Sequence, residues 1–476
     1  MKLCNRLLWT SAVLVFIACS SKEPATTSPE SSSQKTETKS TFQLRHYTAE
    51  KWDNGLQVVY IENHNLPSLS FGLLVKGGAS RDPMTKSGLA NLVAHVMVRG
   101  TLKMSANQIA DGLGQLGSEF ERDVSEDFSW FQVSGLSTSQ EGLLGIFSDV
   151  LMHPRFDNSE LEKEKKLVLA SIKQRFDHPD RFVGEAFQSY LFGGHPYARP
   201  VSGIERDIKS IKREDLIRGY TKFVRPNNAV LVVTGDFSAD ISNTLHERFK
   251  GWEKRELESY SSSEPPSISG INIRLIDKPD LTQSQIVIGQ MGIKRNEPDY
   301  LVLRIANNIL GGNFSSRLMD RVRVNLGLTY GISSSFDARL DRGPFTISTF
   351  TKNQTVGTTI NESLGVLRKF YEEGVTSEEV KAAKNYLMGT FPRAIETPER
   401  LGYNLALLRL YGISDDYLKD FISNVNMVSA DQVNAVIKKH FNAKDLKITV
   451  LSKSADSLEQ LRPLGLLEVK SFNQVF

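Results

Sequence analysis

A chain of 476 residues is too long for one ordinary hydrophobic core and indicates two or more domains. With 40% hydrophobic and 24% charged residues, its composition is that of a soluble globular protein. The formal net charge is +3, and without Lys2 and Arg6 of the N-terminal leader it falls to +1, since 56 basic residues then face 55 acidic ones. This balance does not indicate nucleic-acid binding, so we expect no nucleic-acid partner.

The first 18 residues are predicted to be a secretory leader. Their charged start is followed by an apolar run over 7–18, which is too short to span a bilayer. The run ends in the sequence FIACS at 16–20, which resembles a bacterial lipobox, although Phe16 stands where Leu is usual. We therefore expect a lipoprotein signal peptide over 1–18 and lipidation of Cys19. The alternative is a plain signal peptide cleaved nearby.

The next stretch, 19–44, is rich in Ser, Thr, Pro and charge and is predicted to be a disordered tether. The other cysteine, Cys4, would leave with the leader, so no disulfide is expected. The expected localisation is the cell envelope, lipid-anchored, either periplasmic or at the outer membrane. Ser20 after the cysteine, rather than Asp, favours the outer membrane in a cell with two membranes.

The rest of the chain is predicted to consist of two halves with the same order of elements. The first half is predicted to hold strands over 56–61, 68–75, 129–135 and 229–235, and helices over 88–101, 107–114, 140–152, 158–176, 182–192 and 213–223. The second is predicted to hold strands over 271–276, 284–291, 331–337, 345–350 and 446–451, and helices over 299–310, 316–324, 356–373, 377–388, 399–412, 414–423 and 430–441.

This repeated order favours an internal duplication. The predicted fold class is α+β, with two homologous α/β sandwich domains, each a mostly antiparallel sheet covered by helices. The predicted bounds are an N-terminal domain over 45–252, a polar linker over 253–269 broken by Ser and Pro, a C-terminal domain over 270–456 and a tail over 457–476.

The helix over 88–101 carries the frame of a metal site. Asn91 and His95 are four residues apart on one helix face, and Ala94 lies beside them. In an H-x-x-E-H zinc helix, two histidines at this spacing bind the metal and the glutamate activates its water. Here only His95 remains, and a lone His on a helix is more often a structural residue.

Further motifs occur in order along the chain. They are Asn54-Gly55, Gly88-Leu89-Ala90, Gly100-Thr101, His195-Pro196 with Gly203, Arg225-Pro226-Asn227-Asn228, Gly235-Asp236, Leu310-Gly311-Gly312, Ser315-Ser316-Arg317-Leu318 and Gly327-Leu328-Thr329-Tyr330. Together they resemble the pitrilysin/insulinase superfamily of inverted zincins over residues 45–455, and most of all its two-domain branch, which includes mitochondrial processing peptidase and bacterial relatives. The resemblance implies two LuxS/metallopeptidase-like domains.

In this superfamily the third zinc ligand is a glutamate on a later helix, seven residues after another acidic position. Glu164 matches the acidic position here, and Ser171 stands at the ligand position. The degenerate metal set is therefore Asn91, His95 and Ser171, with Ala94 in place of the base. One imidazole does not make a zinc site, so the chain is predicted to hold no zinc of its own and to be unable to hydrolyse peptides alone.

One functional pair of the family is retained. Its members carry an Arg and a Tyr, seven residues apart in the second domain, which reach the zinc site and stabilise substrate and oxyanion. Arg323 and Tyr330 have this spacing and offer the N–H and O–H donors that the role needs. The alternative is an Arg at a helix end and a Tyr packed in a strand.

The resemblance implies a non-catalytic subunit of a heterodimeric peptidase. Its partners would be a homologous zinc-bearing subunit, an extended peptide substrate and, through the lipid anchor, the membrane. One alternative is a peptide-binding or scaffold lipoprotein without a peptidase role. Another is an active zinc metallopeptidase with a rearranged site.

Two other sets of polar residues are predicted to have no role in the functional site. Asp123, Glu126 and Asp127 have the pattern of a solvated acidic loop. His195, before Pro196 in a loop, is expected to be a structural residue and not a ligand.

Overall fold

The computed structural model describes residues 43–258, 262 and 264–476, and residues Gln43–Phe476 form one compact unit. The expected signal peptide, Cys19 and nearly all of the expected tether lie outside the described residues. Within the described ranges, none of the helices is long and apolar enough to cross a bilayer.

The strands are β1 (Thr48–Lys51), β2 (Gln57–Glu62), β3 (Ser68–Lys76), β4 (Phe120–Val124), β5 (Phe128–Leu136), β6 (Ala229–Gly235), β7 (Ile271–Asp277), β8 (Gln283–Met291), β9 (Ile332–Phe336), β10 (Pro344–Lys352), β11 (Leu446–Ser452) and β12 (Leu466–Ser471). The helices are α1 (Leu89–Met97), α2 (Ala106–Gln115), α3 (Gln140–Met152), α4 (Asn158–Gln174), α5 (Pro179–Phe192), α6 (Glu205–Ser210), α7 (Arg213–Phe223), α8 (Ile241–Phe249), α9 (Tyr300–Asn307), α10 (Val356–Glu373), α11 (Ser377–Ala394), α12 (Pro398–Tyr411), α13 (Asp416–Lys419), α14 (Phe421–Met427), α15 (Ala430–His440) and α16 (Ser454–Leu461).

The strands form two six-stranded sheets of matching design. The first has the order β1-β2-β6-β3-β5-β4, in which only β2 and β6 run parallel. The second has the order β12-β7-β11-β8-β10-β9, in which β7 runs parallel to both of its neighbours. Helices cover both sheets, so the predicted fold class of two mostly antiparallel sheets covered by helices is confirmed.

Two helices are exchanged between the halves. From the first half, α5 packs on β8 and β11 of the second sheet, where Phe187 lies against Gly289. From the second half, α12 packs on the first sheet, where Gly402 lies against Val232 and Tyr403 makes an edge contact with Trp130 at 5.0 Å. This exchange explains why all seven residues of β6 are buried, since α12 supplies the cover on its second face.

A buried polar cluster also joins the halves. Arg339, which is 5% exposed, donates from Nε to Asp337 at 2.9 Å and places Nη2 2.9 Å from the Glu126 carboxylate. Asp127, 3% exposed, accepts from the Tyr197 hydroxyl at 2.6 Å. Burial raises the pKa of both Glu126 and Asp127. The prediction of a solvated acidic loop is therefore wrong for Asp127, whose carboxylate binds a buried donor from a distant segment.

His195 packs beside this cluster as a structural residue. It is 2% exposed, and its Nδ1 accepts from the backbone N–H of Tyr197 at 3.1 Å. Its Nε2 lies 3.7 Å from the Asp341 carboxylate, and burial lowers the pKa of the ring.

The elements differ from the predicted ones at the sheet edges, at two predicted helices, and at α6, α8 and α16, which were not predicted. Strands β1, β4 and β12 were not expected, and β12 places ordered structure within the segment 457–476 that was expected to be a tail. The predicted helix over 299–310 ends in a π-helical turn over Asn308–Gly312, and the one over 316–324 is π-helical over Met319–Asn325. The described residues of 253–269 form neither helix nor strand.

Candidate functional site

The start of α1 is held by close backbone packing. Gly88 has φ +92°, and a Cβ there would lie 2.9 Å from the carbonyl oxygen of Ser202. A Cβ on Gly203 would lie 2.4 Å from the carbonyl oxygen of Ser87. Glycine is needed at both positions, because the two backbone segments meet here with no room for a Cβ atom.

Asp82 anchors the same helix. Its two carboxylate oxygens accept from the backbone N–H groups of Gly88 and Ala90, each at 2.8 Å. Arg199 in turn donates to the Asp82 carbonyl oxygen at 2.9 Å. Burial raises the pKa of the Asp82 carboxyl from 3.8 to about 7, against the opposing effect of these N–H donors.

We expect this shift to appear in the pH dependence of stability. Because the folded-state pKa is raised, the proton on Asp82 stabilises the fold fully below 3.8, and this contribution is lost as pH rises through about 7. Relative to Asp82→Asn, the unfolding free energy of the natural chain should fall by up to about 4 kcal/mol over that range. Chemical denaturation at a series of pH values measures it. The exposed Asp123→Asn is the control, and parallel curves for Asp82→Asn and the natural chain would contradict the expectation.

The structure places the predicted metal positions on two neighbouring helices. Asn91 and His95 are half-buried on one face of α1, and Ala94 is buried beside them. Glu164 and Ser171 lie on α4, which packs against α1. Glu164 is 2% exposed, whereas Ser171, two turns further along, is exposed.

Glu164 links these helices through an ionic network. Its Oε1 accepts from Arg99 Nε at 2.6 Å, and its Oε2 lies 3.2 Å from His95 Nδ1. Although burial opposes ionisation, the contacts with His95 and Arg99 hold the pKa of Glu164 below its usual range. Arg122 on β4 places Nη2 3.3 Å from the same His95 nitrogen. That nitrogen can donate to Glu164 or accept from Arg122, but not both at once.

These residues do not fit a zinc ion. A zinc site needs about three protein ligands, and His95 supplies one imidazole here. The Glu164 carboxylate is already bound to Arg99, and the amide of Asn91 is a poor zinc ligand. The guanidinium of Arg122 beside the imidazole nitrogen would repel a further cation.

Arg99 and Arg122 carry no motif in the sequence. Arg99 follows His95 by four residues and lies two residues beyond the end of α1, within the predicted helix 88–101, so helical spacing could have placed both side chains on one face. Arg122 could be found only by recognising Phe120–Val124 as a strand beside α1.

The predicted Arg/Tyr pair lies at one end of the second sheet. The Arg323 guanidinium stacks 4.3 Å from the ring of Phe314, which is 70% exposed. Tyr330 is 81% exposed, and its ring lies 6.5 Å from that of Phe350. Tyr330 is therefore not a tyrosine packed into a strand, whereas Arg323 is half-buried in the last turn of the π-helical segment Met319–Asn325.

A cavity of about 570 Å³ opens beside Tyr330. It lies between α5, the faces of β8 and β10 and the π-helical turn Asn308–Gly312, and its walls include Phe314 and Phe350. Gly311 lets this turn approach the sheet, since a Cβ there would lie 2.7 Å from the backbone nitrogen of Ser334. The Gly-Gly pair thus shapes the cavity wall by close packing.

One other group of ligand-type side chains occurs in the described part of the chain. Glu297, Asp299 and His440 lie close enough together to hold a metal ion. However, Lys439 Nζ lies 2.6 Å from Asp299 and 3.7 Å from Glu297, so a cation is already present within the group. We interpret it as a surface ion-pair cluster.

Comparison with protein families gives two adjacent matches. The family described as "Insulinase (Peptidase family M16)" matches residues 57–204, and "Peptidase M16 inactive domain" matches residues 210–387. Together they span about two thirds of the chain. The word "inactive" belongs to the second match, which contains none of the degenerate metal positions, so the state of the metal site has to be judged from its own residues.

Curated relatives match over most of their length. A Bacillus subtilis protein described as "Uncharacterized zinc protease YmxG" is 26% identical over 420 residues, covering 87% of this chain and 99% of the relative. A Helicobacter pylori protein described as "Non-peptidase homolog YmxG" is 27% identical over 406 residues, covering 83% and 91%. The relatives therefore include proteins with both kinds of description.

Solved structures share the fold. One described as a peptidase M16 inactive domain from Pseudomonas fluorescens has a TM-score of 0.79 and 26% identity, covering 86% of this chain and 98% of that chain. One described as a protease from Helicobacter pylori has a TM-score of 0.77 at 17% identity, covering 86% and 100%.

Proposed function

This chain belongs to peptidase family M16, and we propose that it is the non-catalytic subunit of a heterodimeric zinc peptidase. In this proposal a homologous partner supplies the zinc, and this chain supplies Arg323 and Tyr330. These groups would hold an extended peptide and stabilise the oxyanion that forms during cleavage. We further propose that Cys19 carries lipid and that the complex lies at the cell envelope, periplasmic or at the outer membrane.

The observation that carries this proposal is a contrast between two parts of one chain. The metal positions retain a single imidazole, that of His95. The guanidinium groups of Arg99 and Arg122 lie beside it or beside its partner Glu164. In contrast, Arg323 and Tyr330 remain, and Tyr330 is 81% exposed beside a large cavity. A chain that lacks metal donors but keeps an exposed Tyr and a half-buried Arg for a substrate can support the chemistry where another chain provides the metal.

The contacts of the pair are consistent with a role in a second chain. Within the described ranges, no hydrogen bond or ion pair joins Arg323 or Tyr330 to Asn91 or His95. The pair is therefore not used by the degenerate site of its own chain, and its polar atoms remain available to a partner or a peptide.

A peptide-binding or scaffold lipoprotein without a peptidase role is the second candidate. The cavity beside Tyr330 favours it, since that cavity is large enough for side chains of a peptide and needs no metal. The description of one relative as a "Non-peptidase homolog" also fits it. The third possibility, an active peptidase with a rearranged site, finds no support in a donor set that does not fit zinc.

The test is reconstitution with a homologous chain that carries an intact H-x-x-E-H helix. Arg323→Ala and Tyr330→Phe should each lower kcat of the mixed complex by about 10²- to 10³-fold, which is the usual effect of removing one oxyanion donor. Arg321→Ala is the matched control, because Arg321 lies in the same π-helical segment, is exposed and pairs with Glu362. Complex formation is measured in parallel by size-exclusion chromatography.

If both variants form the complex and cleave peptide as fast as the natural chain does, the proposed role is excluded. If no zinc-bearing homologue associates with the chain, yet the chain alone binds extended peptides, the second candidate is correct.

A further inference from the structure

The degenerate metal site contains a positive charge that its own residues do not balance. Arg99 and Arg122 contribute two guanidinium groups, and Glu164 contributes one carboxylate, which lies 2.6 Å from Arg99. In the described part of the chain, no carboxylate lies within ion-pair distance of Arg122. The Nε atom of Arg122 is buried and has no hydrogen-bond partner.

The hydrogen bonds at His95 also show that the site has too few acceptors for its donors. Its Nδ1 is shared between the Glu164 carboxylate at 3.2 Å and Arg122 Nη2 at 3.3 Å, and only one of these bonds can form at a time. When His95 donates to Glu164, the nearest guanidinium nitrogen of Arg122 has no acceptor. An added acceptor at Arg122 would satisfy both groups at once.

The site is open to a ligand from one side. The side chains of His95 and Arg99 are 32% and 37% exposed, whereas that of Glu164 is 3% exposed. An incoming anion would therefore meet His95 and the guanidinium of Arg99 before the buried carboxylate, with the half-buried Arg122 beside them. Because β4 is the last strand of its sheet, the outer backbone groups around Arg122 can also pair with an extended chain.

We propose that this cluster binds a carboxylate group of a peptide, held between the guanidinium groups of Arg122 and Arg99. A planar guanidinium presents two parallel N–H groups that match the two oxygens of a carboxylate. The position where zinc-bearing relatives bind a cation is, in this chain, an anion site. That the carboxylate belongs to a peptide rests on the proposed function, whereas the preference for a carboxylate rests on the charges alone.

The test measures binding of short fluorescent peptides to the full chain without a partner. Three forms of one sequence are compared: a free C-terminal acid, a C-terminal amide, and an amide with one internal Glu. The acid, the internal Glu or both should bind at least about tenfold more tightly than the plain amide, and the difference should shrink at high salt. Which of the two binds more tightly identifies the source of the carboxylate.

Variants assign the effect to the cluster. Arg122→Gln should abolish the preference for the carboxylate, and Arg122→Lys should keep part of it, since the charge remains without the planar pair of donors. Arg248→Gln is the control, because the Arg248 side chain is also 37% exposed and pairs with a carboxylate outside this site. Melting curves establish that the variants are folded, and Arg99→Gln replaces Arg122→Gln if the latter is not.

The proposal is overturned if the natural chain binds all three peptides equally well, or if it binds none of them. It is also overturned by a carboxylate preference that survives in folded Arg122→Gln. Failure here is separable from failure of the proposed function, because this test measures peptide binding by the chain without a partner, whereas the reconstitution measures kcat of the mixed complex.

Discussion

A variant with Asn91→His, Ala94→Glu, Ser171→Glu and Arg122→Gln is expected to bind about one zinc ion per chain, whereas the natural chain is expected to bind none. The first three changes restore the two histidines, the base and the third ligand of the family. The fourth removes the guanidinium that lies 3.3 Å from His95 Nδ1, where it would compete with a metal for the imidazole. This outcome requires that α1 and α4 already have the geometry of the zinc-bearing relatives.

Metal analysis after dialysis, with competition against a chelator, measures the effect. The triple variant that keeps Arg122 should bind zinc more weakly than the quadruple variant. Adding His95→Ala to the quadruple variant should remove the metal, because one of the three protein ligands is then absent. A folded quadruple variant without zinc would show that the two helices have moved away from a metal-binding arrangement.

Arg339→Met is expected to lower the unfolding free energy by about 3–5 kcal/mol, the usual result of removing one partner of a buried ion pair. It leaves the carboxylate of Glu126, whose side chain is 19% exposed, without its cation, whereas the side chain of Asp337 is 53% exposed and stays hydrated. The measurement is chemical denaturation at neutral pH. The exposed Arg462→Met, which breaks the surface pair with Glu459, should change the unfolding free energy by less than about 1 kcal/mol.

The pH dependence gives this prediction a second test. Burial already raises the pKa of Glu126 and Asp127, and the loss of Arg339 should raise both further. A raised folded-state pKa means that proton binding stabilises the fold, so the difference from the natural chain should shrink as the pH is lowered. A destabilisation that is the same at every pH would show that Arg339 acts through packing and not through charge.

The central elements could be predicted from the sequence because burial leaves a clear pattern. The strand β6 is a nearly continuous apolar run, β3 is mostly apolar, both lie between turn signals, and α3 has its predicted bounds, 140–152. The edge strands β1 and β4 were missed, since they are short and rich in charged residues, as exposed edges commonly are. Their pattern does not differ from that of a polar loop.

The same limit applied to the site. Spacing within one helix was enough to place Asn91, Ala94 and His95 on one face. The charged groups that surround His95 come from distant parts of the chain. Arg122 is 27 residues from His95, and Glu164 is 65 residues from Arg99. Because Arg122 lies on an unrecognised strand, no local signal pointed to it.

For Asp127 the local sequence suggested an exposed residue, whereas the structure buries it. Its neighbourhood is acidic and resembles a solvated loop, yet its partner is the hydroxyl of Tyr197, 70 residues away. A buried carboxylate is compatible with such a sequence only when tertiary structure brings a donor to it.

The exchange of α5 and α12 decides where this molecule can flex. Each of the two helices belongs to one half of the chain and packs on the sheet of the other half. The Arg339 cluster also joins the two halves. Separating the halves would expose two apolar sheet surfaces to water at once. The free-energy cost of that exposure is too large for thermal motion to supply. In the heterodimer that we propose, a peptide would therefore enter by movement of the two whole chains relative to one another, with each chain moving as a rigid body.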